Sequence, residues 1–126
     1  MDARLHPTSV LGINLGEAHI IRNAGGRAQD ALRSIIISQR LLGTREILII
    51  HHTDCGMLTF NDFELRLKLN KETNEIVDHL SFLPFDDLRQ SIIDDIKILQ
   101  SNPLILDVPI TGYIYNVKNG SIEKVE

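Results

Sequence analysis

The aliphatic run EILIIHH, residues 46–52, is the feature that most constrains the fold of this chain. An unbroken apolar run of this length is typical of a strand covered on both faces, as in a parallel sheet. Residues 28–43 place alanine, leucine and isoleucine at helical spacing and end in a glycine that suits a helix C-cap. Residues 18–22 form another short apolar run, which we predict to be a strand. Strand, helix and strand in this order predict a βαβ unit with a right-handed crossover.

The second half of the chain predicts two more helices and a hairpin. Residues 61–71 and residues 86–100 are predicted helices, the second opening on an acidic pair that suits the positive end of a helix. Residues 110–117 alternate like a strand, and the dipeptide Asn119-Gly120 is a strong hairpin signal before a last short strand. The predicted fold is therefore α/β, with a mostly parallel sheet, helices on both faces and a C-terminal β-hairpin.

Composition excludes several classes of protein. The 126 residues, 43% of them hydrophobic, are enough for one domain, which we place at residues 1–126. A net charge of −4 and a pI near 5.7 lack the basic footprint of a nucleic-acid binder. The single cysteine excludes an internal disulfide, and no apolar run is long enough to span a membrane. With no signal peptide at the N-terminus, we expect a cytoplasmic protein.

Two residues after the buried strand have the chemistry of metal ligands. His52 and Cys55 are separated by two residues, a spacing that metal sites use, but zinc usually takes three or four protein ligands. A buried histidine beside an inert cysteine would give the same pattern. The neighbouring His51 is expected to point to the opposite face of the strand, and we assign it no role.

Two other segments are candidates for the same site. Asp2 and Arg4 lie on one side of the chain if the N-terminal segment is extended, although they could equally form a solvated surface ion pair. Gly25 and Gly26 end the sequence NAGG, where a tight turn could direct backbone N–H groups at an anion or could simply reverse the chain. Functional groups gather at the carboxyl ends of strands in an open parallel sheet, which favours a shared site.

Taken together, these segments resemble the β-class carbonic anhydrases. The resemblance covers nearly the whole chain and is strongest in MDARL, GEAHIIRNAGG, LRSIIISQRLLGTREILIIHHTDCGM and ITGYIYNVKNG. It implies a zinc enzyme that hydrates CO2 to bicarbonate, assembled as a homodimer or a larger homo-oligomer. His52 and Cys55 match two zinc ligands of the family, Asp2 and Arg4 match its aspartate–arginine dyad, and Gly25 and Gly26 match its glycine-rich turn.

The chain departs from the family pattern at its N-terminus. The family's first ligand, a cysteine, would stand immediately before Met1, so we expect a truncated form in which the first central strand of the sheet is missing. Residues 18–22 and 46–52 would then flank a gap that closes up, is filled by another chain or leaves the fold marginal. Asp2 or a residue of a partner subunit could replace the lost ligand. A wrongly chosen start at Met1 is the other explanation.

Three functions remain open. The first is carbonic anhydrase activity, weakened by the absent cysteine. The second is a non-catalytic relative that binds or regulates, pairing with an intact homologue. The third is a hydrolase of a CO2-like molecule such as CS2 or COS, which would use the same metal residues with a different access route.

Overall fold

The computed structural model describes residues 1–125, which contain four α-helices and a small sheet. In chain order the elements are α1 (Pro7–Leu11), the 3₁₀ turn Ala24–Gly26, α2 (Ala28–Leu42), β1 (Ile47–His52), the 3₁₀ turn Gly56–Leu58, α3 (Asp62–Thr73), α4 (Leu88–Ser101), β2 (Ile110–Tyr115) and β3 (Ile122–Lys124). None of the helices described in this range is long and apolar enough to cross a membrane.

The three strands form one sheet in the order β1-β2-β3. β1 and β2 are parallel, with Ile47 opposite Ile110 and His52 opposite Tyr115. β2 and β3 are antiparallel, with Tyr115 opposite Ile122. The predicted α/β class and its C-terminal hairpin are confirmed, but pairing of β3 makes the sheet mixed rather than mostly parallel. Within residues 1–125, no strand pairs with the other edge of β1.

The predicted strand at residues 18–22 is wrong. This segment has no regular secondary structure, and Ile20 and Ile21 remain 43% and 42% exposed. A strand needs a neighbour to accept and donate its ladder hydrogen bonds, and the segment has none in the described chain. Between it and β1 lies an open cavity of about 540 Å³, which we call the β1-edge groove. The flanking segments have therefore not closed up.

The core lies between the sheet and two helices. α4 packs over β1 and β2, and α2 packs against α4. A side chain at Gly112 would collide with Ile92, so glycine at this position lets α4 lie directly on β2. The buried apolar cluster consists of Ala28, Ala31, Ile35, Ile49, Ile92, Ile96, Leu99 and Ile105. The other face of β1 is less covered, since Leu48 is 41% exposed. Within residues 1–125, α4 is the helix that packs extensively on the sheet, so a helix layer is seen on one face rather than on the predicted two.

Helices α2, α3 and α4 follow the sequence signals closely, whereas the short helix α1 was not predicted. α2 ends at Leu42, and Gly43 adopts the left-handed conformation (φ 79°) expected of its C-cap. α3 begins after Asn61, whose side chain forms a capping box with Glu64. α4 begins two residues later than predicted, because Asp87 is its N-cap and accepts a hydrogen bond from the Gln90 N–H.

The hairpin turn is wider than Asn119-Gly120 alone predicts. The loop between β2 and β3 runs from Asn116 to Ser121, where the Asn116 N–H donates to the Ser121 carbonyl oxygen at 2.9 Å. Gly120 has a positive φ of 72°, whereas Asn119 does not, so the pair does not form the two-residue turn that needs positive φ at both positions. Side-chain oxygens of Asn116 and Asn119 accept backbone hydrogen bonds from Lys118 and Ser121 and stabilise the longer loop.

Candidate functional site

The N-terminal segment holds Asp2 and Arg4 in a tight pair. Asp2 Oδ1 accepts hydrogen bonds from the Arg4 N–H at 2.8 Å and from Nε at 3.0 Å, and Asp2 Oδ2 accepts one from Nη2 at 2.7 Å. Arg22 Nη2 fixes the segment by donating to the carbonyl oxygens of Asp2 and Leu5. The hydrogen bonds from the Arg4 side chain hold the pKa of Asp2 well below its usual range. Asp2 is therefore an ionised acceptor over the whole physiological range of pH.

His52 leaves one ring nitrogen available for a ligand. Its Nδ1 lies 2.7 Å from the carbonyl oxygen of Thr53, which can only accept, so Nδ1 carries the proton. In the neutral ring, Nε2 then presents its lone pair, and this atom lies 3.7 Å from Asp2 Oδ2. Two acceptor atoms facing each other at this distance do not form a hydrogen bond, but a cation between them would satisfy both.

Cys55 lies just beyond β1 and is 7% exposed. It precedes the 3₁₀ turn Gly56–Leu58, and its carbonyl oxygen accepts the Leu58 N–H at 3.1 Å. Within residues 1–125, no three His, Cys, Asp or Glu side chains are grouped closely enough to hold a metal ion. Asp2 and His52 therefore face each other, but Cys55 does not complete a three-ligand group with them in this conformation.

Arg4 also binds the loop that joins His52 to Cys55. Arg4 Nη1 donates to Asp54 Oδ2 at 2.9 Å, and Nη2 donates to the Asp54 carbonyl oxygen at 3.0 Å. Both carboxylates raise the pKa of Arg4, with Asp2 making the larger contribution. No sequence pattern indicated Asp54, because a contact across fifty positions in the chain leaves no local signal.

The glycine turn packs against the end of β1. Gly25 and Gly26 both have positive φ, 78° and 62°. A Cβ at Gly26 would lie 2.9 Å from the Ile50 carbonyl oxygen, and one at Gly25 would lie 3.0 Å from Met57 Cγ. Backbone conformation therefore favours glycine at both positions, and close approach to the main chain of β1 favours it further at Gly26. The Gly26 N–H already donates to the Asn23 carbonyl oxygen at 3.3 Å, so its role in binding an anion would require that bond to open.

His51, to which the sequence assigned no role, belongs to a buried polar cluster behind β1. Its Nδ1 lies 2.7 Å from Ser91 Oγ, and its Nε2 lies 3.1 Å from the Gly26 carbonyl oxygen and 3.2 Å from Asp95 Oδ2. His51 and Asp95 are almost completely buried. The alternation of β1 thus directs His52 toward Asp2 and His51 into the interior, as expected for adjacent strand residues.

An arginine completes this buried cluster. Arg27 Nη2 lies 3.0 Å from Asp95 Oδ1, close enough for ion pairing although not aligned as a hydrogen bond. Asp95 Oδ2 also accepts the Ala28 N–H at 3.0 Å and so caps the start of α2. The ring of Phe85 stacks on His51 and covers the Arg27 guanidinium at 5.3 Å. These contacts fix the glycine turn, β1 and α4 relative to one another.

Comparisons with known proteins show the family to which the chain belongs. The family described as carbonic anhydrase matches residues 1–84. β-Carbonic anhydrase 1 of Mycobacterium tuberculosis is 42% identical over 127 residues, covering 99% of this chain and 77% of that protein. The solved carbonic anhydrase of Glaciozyma antarctica is 50% identical with a TM-score of 0.95, covering 100% of this chain and 78% of that one. The chain belongs to the β-class carbonic anhydrases, a family of enzymes.

One group of relatives is named for a different activity. Carbon disulfide hydrolase of Saccharolobus solfataricus is 37% identical over 149 residues, covering 98% of this chain and 73% of that protein. The alignment with the hydrolase spans 149 positions and the alignment with β-carbonic anhydrase 1 spans 127, although both cover nearly the whole of this chain. Insertions therefore separate the chain from the hydrolase more than from the anhydrase.

Proposed function

We propose that this protein catalyses the zinc-dependent, reversible hydration of CO2 to bicarbonate. The observation that carries the proposal is the placement of Asp2, which is held by Arg4 and faces the free Nε2 of His52 at 3.7 Å. Family membership supports the same reaction. The higher identity to a carbonic anhydrase than to the carbon disulfide hydrolase favours CO2 as the substrate.

The side chains at the site suit zinc in their chemistry. An imidazole nitrogen, a thiolate and a carboxylate are the three ligand types that zinc accepts in proteins. The hydrogen bond from His52 Nδ1 to Thr53 fixes the ring orientation, as expected for a ligating histidine. The separation of 3.7 Å between His52 Nε2 and Asp2 Oδ2 is shorter than two zinc bonds of about 2.0–2.1 Å laid end to end. His52 and Cys55 are the proposed ligands, and Asp2 is a third that can turn to the metal.

The chain's own residues would divide the work of the reaction. Zinc, when bound, lowers the pKa of water to about 7 and so supplies a nucleophile at neutral pH. Asp2 accepts a hydrogen bond from the attacking oxygen. This hydrogen bond orients the oxygen so that its lone pair is directed at the carbon of CO2. Arg4 keeps Asp2 ionised and fixed in orientation. Gly25 and Gly26 border the site, and we propose that the turn helps to hold the bicarbonate anion.

We further propose that the 126-residue chain is a slow catalyst by itself. It contains one cysteine, so a single thiolate is available from within the chain. A site with one thiolate and one imidazole leaves half of the zinc coordination to water, to Asp2 or to a residue of another subunit. If Asp2 ligates the metal, it can no longer orient the nucleophile.

A metal and activity assay on matched variants tests the proposal. Cys55→Ser should lose bound zinc and CO2 hydration together, while His79→Ala, at an exposed histidine, should keep both. Zinc affinity should also weaken as the pH falls, because the thiolate ligand must be deprotonated. Zinc content by mass spectrometry and hydration by stopped flow are the measurements. If Cys55→Ser keeps its zinc, the metal lies elsewhere.

Hydrolysis of CS2 is the second candidate, because named hydrolases of that substrate are among the relatives. The two functions separate in a single comparison: CO2 hydration and the release of hydrogen sulfide from CS2 are measured on one zinc-loaded preparation. We expect hydration to dominate. A higher turnover of CS2 than of CO2 would establish the hydrolase instead, and zinc binding with neither reaction would favour the non-catalytic function.

A further inference from the structure

We propose that Asp54 is a positioning residue for the reaction, acting through Arg4 on Asp2. This inference rests on the proposed function, since its consequence for catalysis exists only if Asp2 orients the nucleophile. Its structural part, the hold of Asp54 on Arg4, can be tested without any activity.

The Arg4 guanidinium is shared between two carboxylates on opposite sides. Nε and Nη2 donate to Asp2, while Nη1 donates to Asp54 Oδ2 and Nη2 also donates to the Asp54 carbonyl oxygen. A planar guanidinium with both forks occupied has one orientation rather than many. Asp2 receives two parallel hydrogen bonds only while that plane is held. Asp54 therefore provides the second anchor that fixes the direction in which Asp2 faces His52.

The backbone at Asp54 supports a functional placement. Asp54 has a φ of 54°, in the left-handed region that residues other than glycine seldom adopt. This conformation lets the carbonyl oxygen and the carboxylate of one residue both reach Arg4. The loop between the two proposed ligands is thereby tied to the N-terminal segment that carries the dyad.

Global stability does not explain the contact. The side chains of Arg4 and Asp54 are 47% and 75% exposed, and ion pairs at such exposure stabilise a fold very little. Loss of the Asp54 carboxylate should leave the melting temperature almost unchanged. An effect on turnover without an effect on melting would therefore come from orientation of Arg4.

Two substitutions at Asp54 give a graded test. Asp54→Asn keeps an oxygen that can accept from Nη1 but removes the charge, while Asp54→Gly removes the side chain and accepts the positive φ without strain. Asp107→Asn, at an exposed aspartate far along the chain, controls for the change in net charge. We expect kcat for CO2 hydration to fall about tenfold in Asp54→Gly and less in Asp54→Asn, with KM nearly constant. Asp107→Asn should match the wild type.

A double-mutant cycle distinguishes positioning from a general effect. In an Arg4→Ala background, Asp54→Gly should cause no further loss, because a residue that acts through Arg4 has nothing left to act on. The exchange rate of the Arg4 Nε–H proton, measured by NMR on the zinc-loaded chain, is the readout that needs no activity. It should rise severalfold in Asp54→Gly and stay unchanged in Asp107→Asn.

The outcomes separate this inference from the proposed function. Unchanged Nε–H exchange in Asp54→Gly would overturn the inference, and so would a loss of turnover that persists in the Arg4→Ala background. If the wild type hydrates no CO2, the proposed function fails, and the NMR result alone decides whether Asp54 holds Arg4. Both the inference and the proposed function would be supported if Asp54→Gly exchanges the Arg4 Nε–H proton faster and lowers kcat, and if this fall in kcat is absent in the Arg4→Ala background.

Discussion

At the scale of single residues, the two adjacent histidines of β1 have separate environments. His52 presents Nε2 to Asp2, whereas His51 is buried against Asp95, Ser91 and the glycine turn. The buried pair of Asp95 and Arg27 sits directly behind the proposed site. Buried charges are stable only while they are paired, so this cluster should be sensitive to the loss of one partner.

Asp95→Ala tests that expectation. Removing the carboxylate leaves Arg27 buried without its counter-charge and takes away the acceptor for the Ala28 N–H, which should lower the free energy of unfolding by about 3–5 kcal/mol. Asp94→Ala, the exposed neighbour on α4, should change it by less than about 0.5 kcal/mol. Urea unfolding followed by circular dichroism is the measurement. Equal effects of the two substitutions would show that the buried pair does not stabilise the fold.

Residue roles were only partly predictable from the sequence. The alternation of β1 correctly separated the surroundings of His51 from those of His52, because strand geometry is local. The pairing of Arg4 with Asp2 was predicted, but the contacts of His51 with Asp95 and of Arg4 with Asp54 were not, since these residues lie far apart along the chain. The roles of Asp2, Arg4, His52 and Cys55 in catalysis or metal binding stay predictions.

At the scale of elements, the glycine turn is the part that joins the site to the core. Gly26 combines a positive φ with close approach to β1, while Gly16 has a positive φ of 87° in open space. Helices α2, α3 and α4, whose signals are local caps and spacing, were predicted to within two residues at their ends, whereas the short helix α1 was not predicted. The strand predicted at residues 18–22 failed because strand formation depends on a partner that the local sequence does not encode.

Comparing Gly26→Ala with Gly16→Ala separates the cost of the contact with Ile50 from the cost of the left-handed backbone conformation. Both alanines must adopt a left-handed conformation, which costs about 1–2 kcal/mol of folding free energy. Gly26→Ala should cost about 1–3 kcal/mol more, because its Cβ would press on the Ile50 carbonyl oxygen at 2.9 Å. Thermal unfolding of both variants measures the difference. If Gly26→Ala is as stable as Gly16→Ala, the glycine turn can shift away from β1 without loss of folding free energy.

At the scale of the whole molecule, the open β1-edge groove dominates. It is bordered by the exposed Ile20 and Ile21 on one side and by the edge of β1 that no strand of residues 1–125 covers on the other. The sequence predicted such a gap through the family resemblance, and the structure keeps it open. An uncovered strand edge beside apolar side chains favours association with another chain.

We therefore propose that the protein is a homodimer or a larger homo-oligomer in solution. Exposed apolar side chains on α3 and the following loop, Phe63 and Ile76 among them, add to the surface available for contact. Sedimentation velocity at micromolar concentration measures the state directly. A single monomeric species over that range would contradict the proposal.

The most direct test of the proposed site supplies the thiolate that these 126 residues do not contain. The chain is extended at its N-terminus by an apolar segment able to pair with β1 in the groove, ending in a cysteine immediately before Met1; a matched extension ends in serine. The cysteine form should hydrate CO2 about 100-fold faster than the serine form and the 126-residue chain, a change of about 2.7 kcal/mol in the activation free energy. The added ligand would complete the zinc site and leave Asp2 paired with Arg4. Equal hydration rates for the cysteine and serine forms would contradict this explanation, because the proposed site would then not depend on a further thiolate.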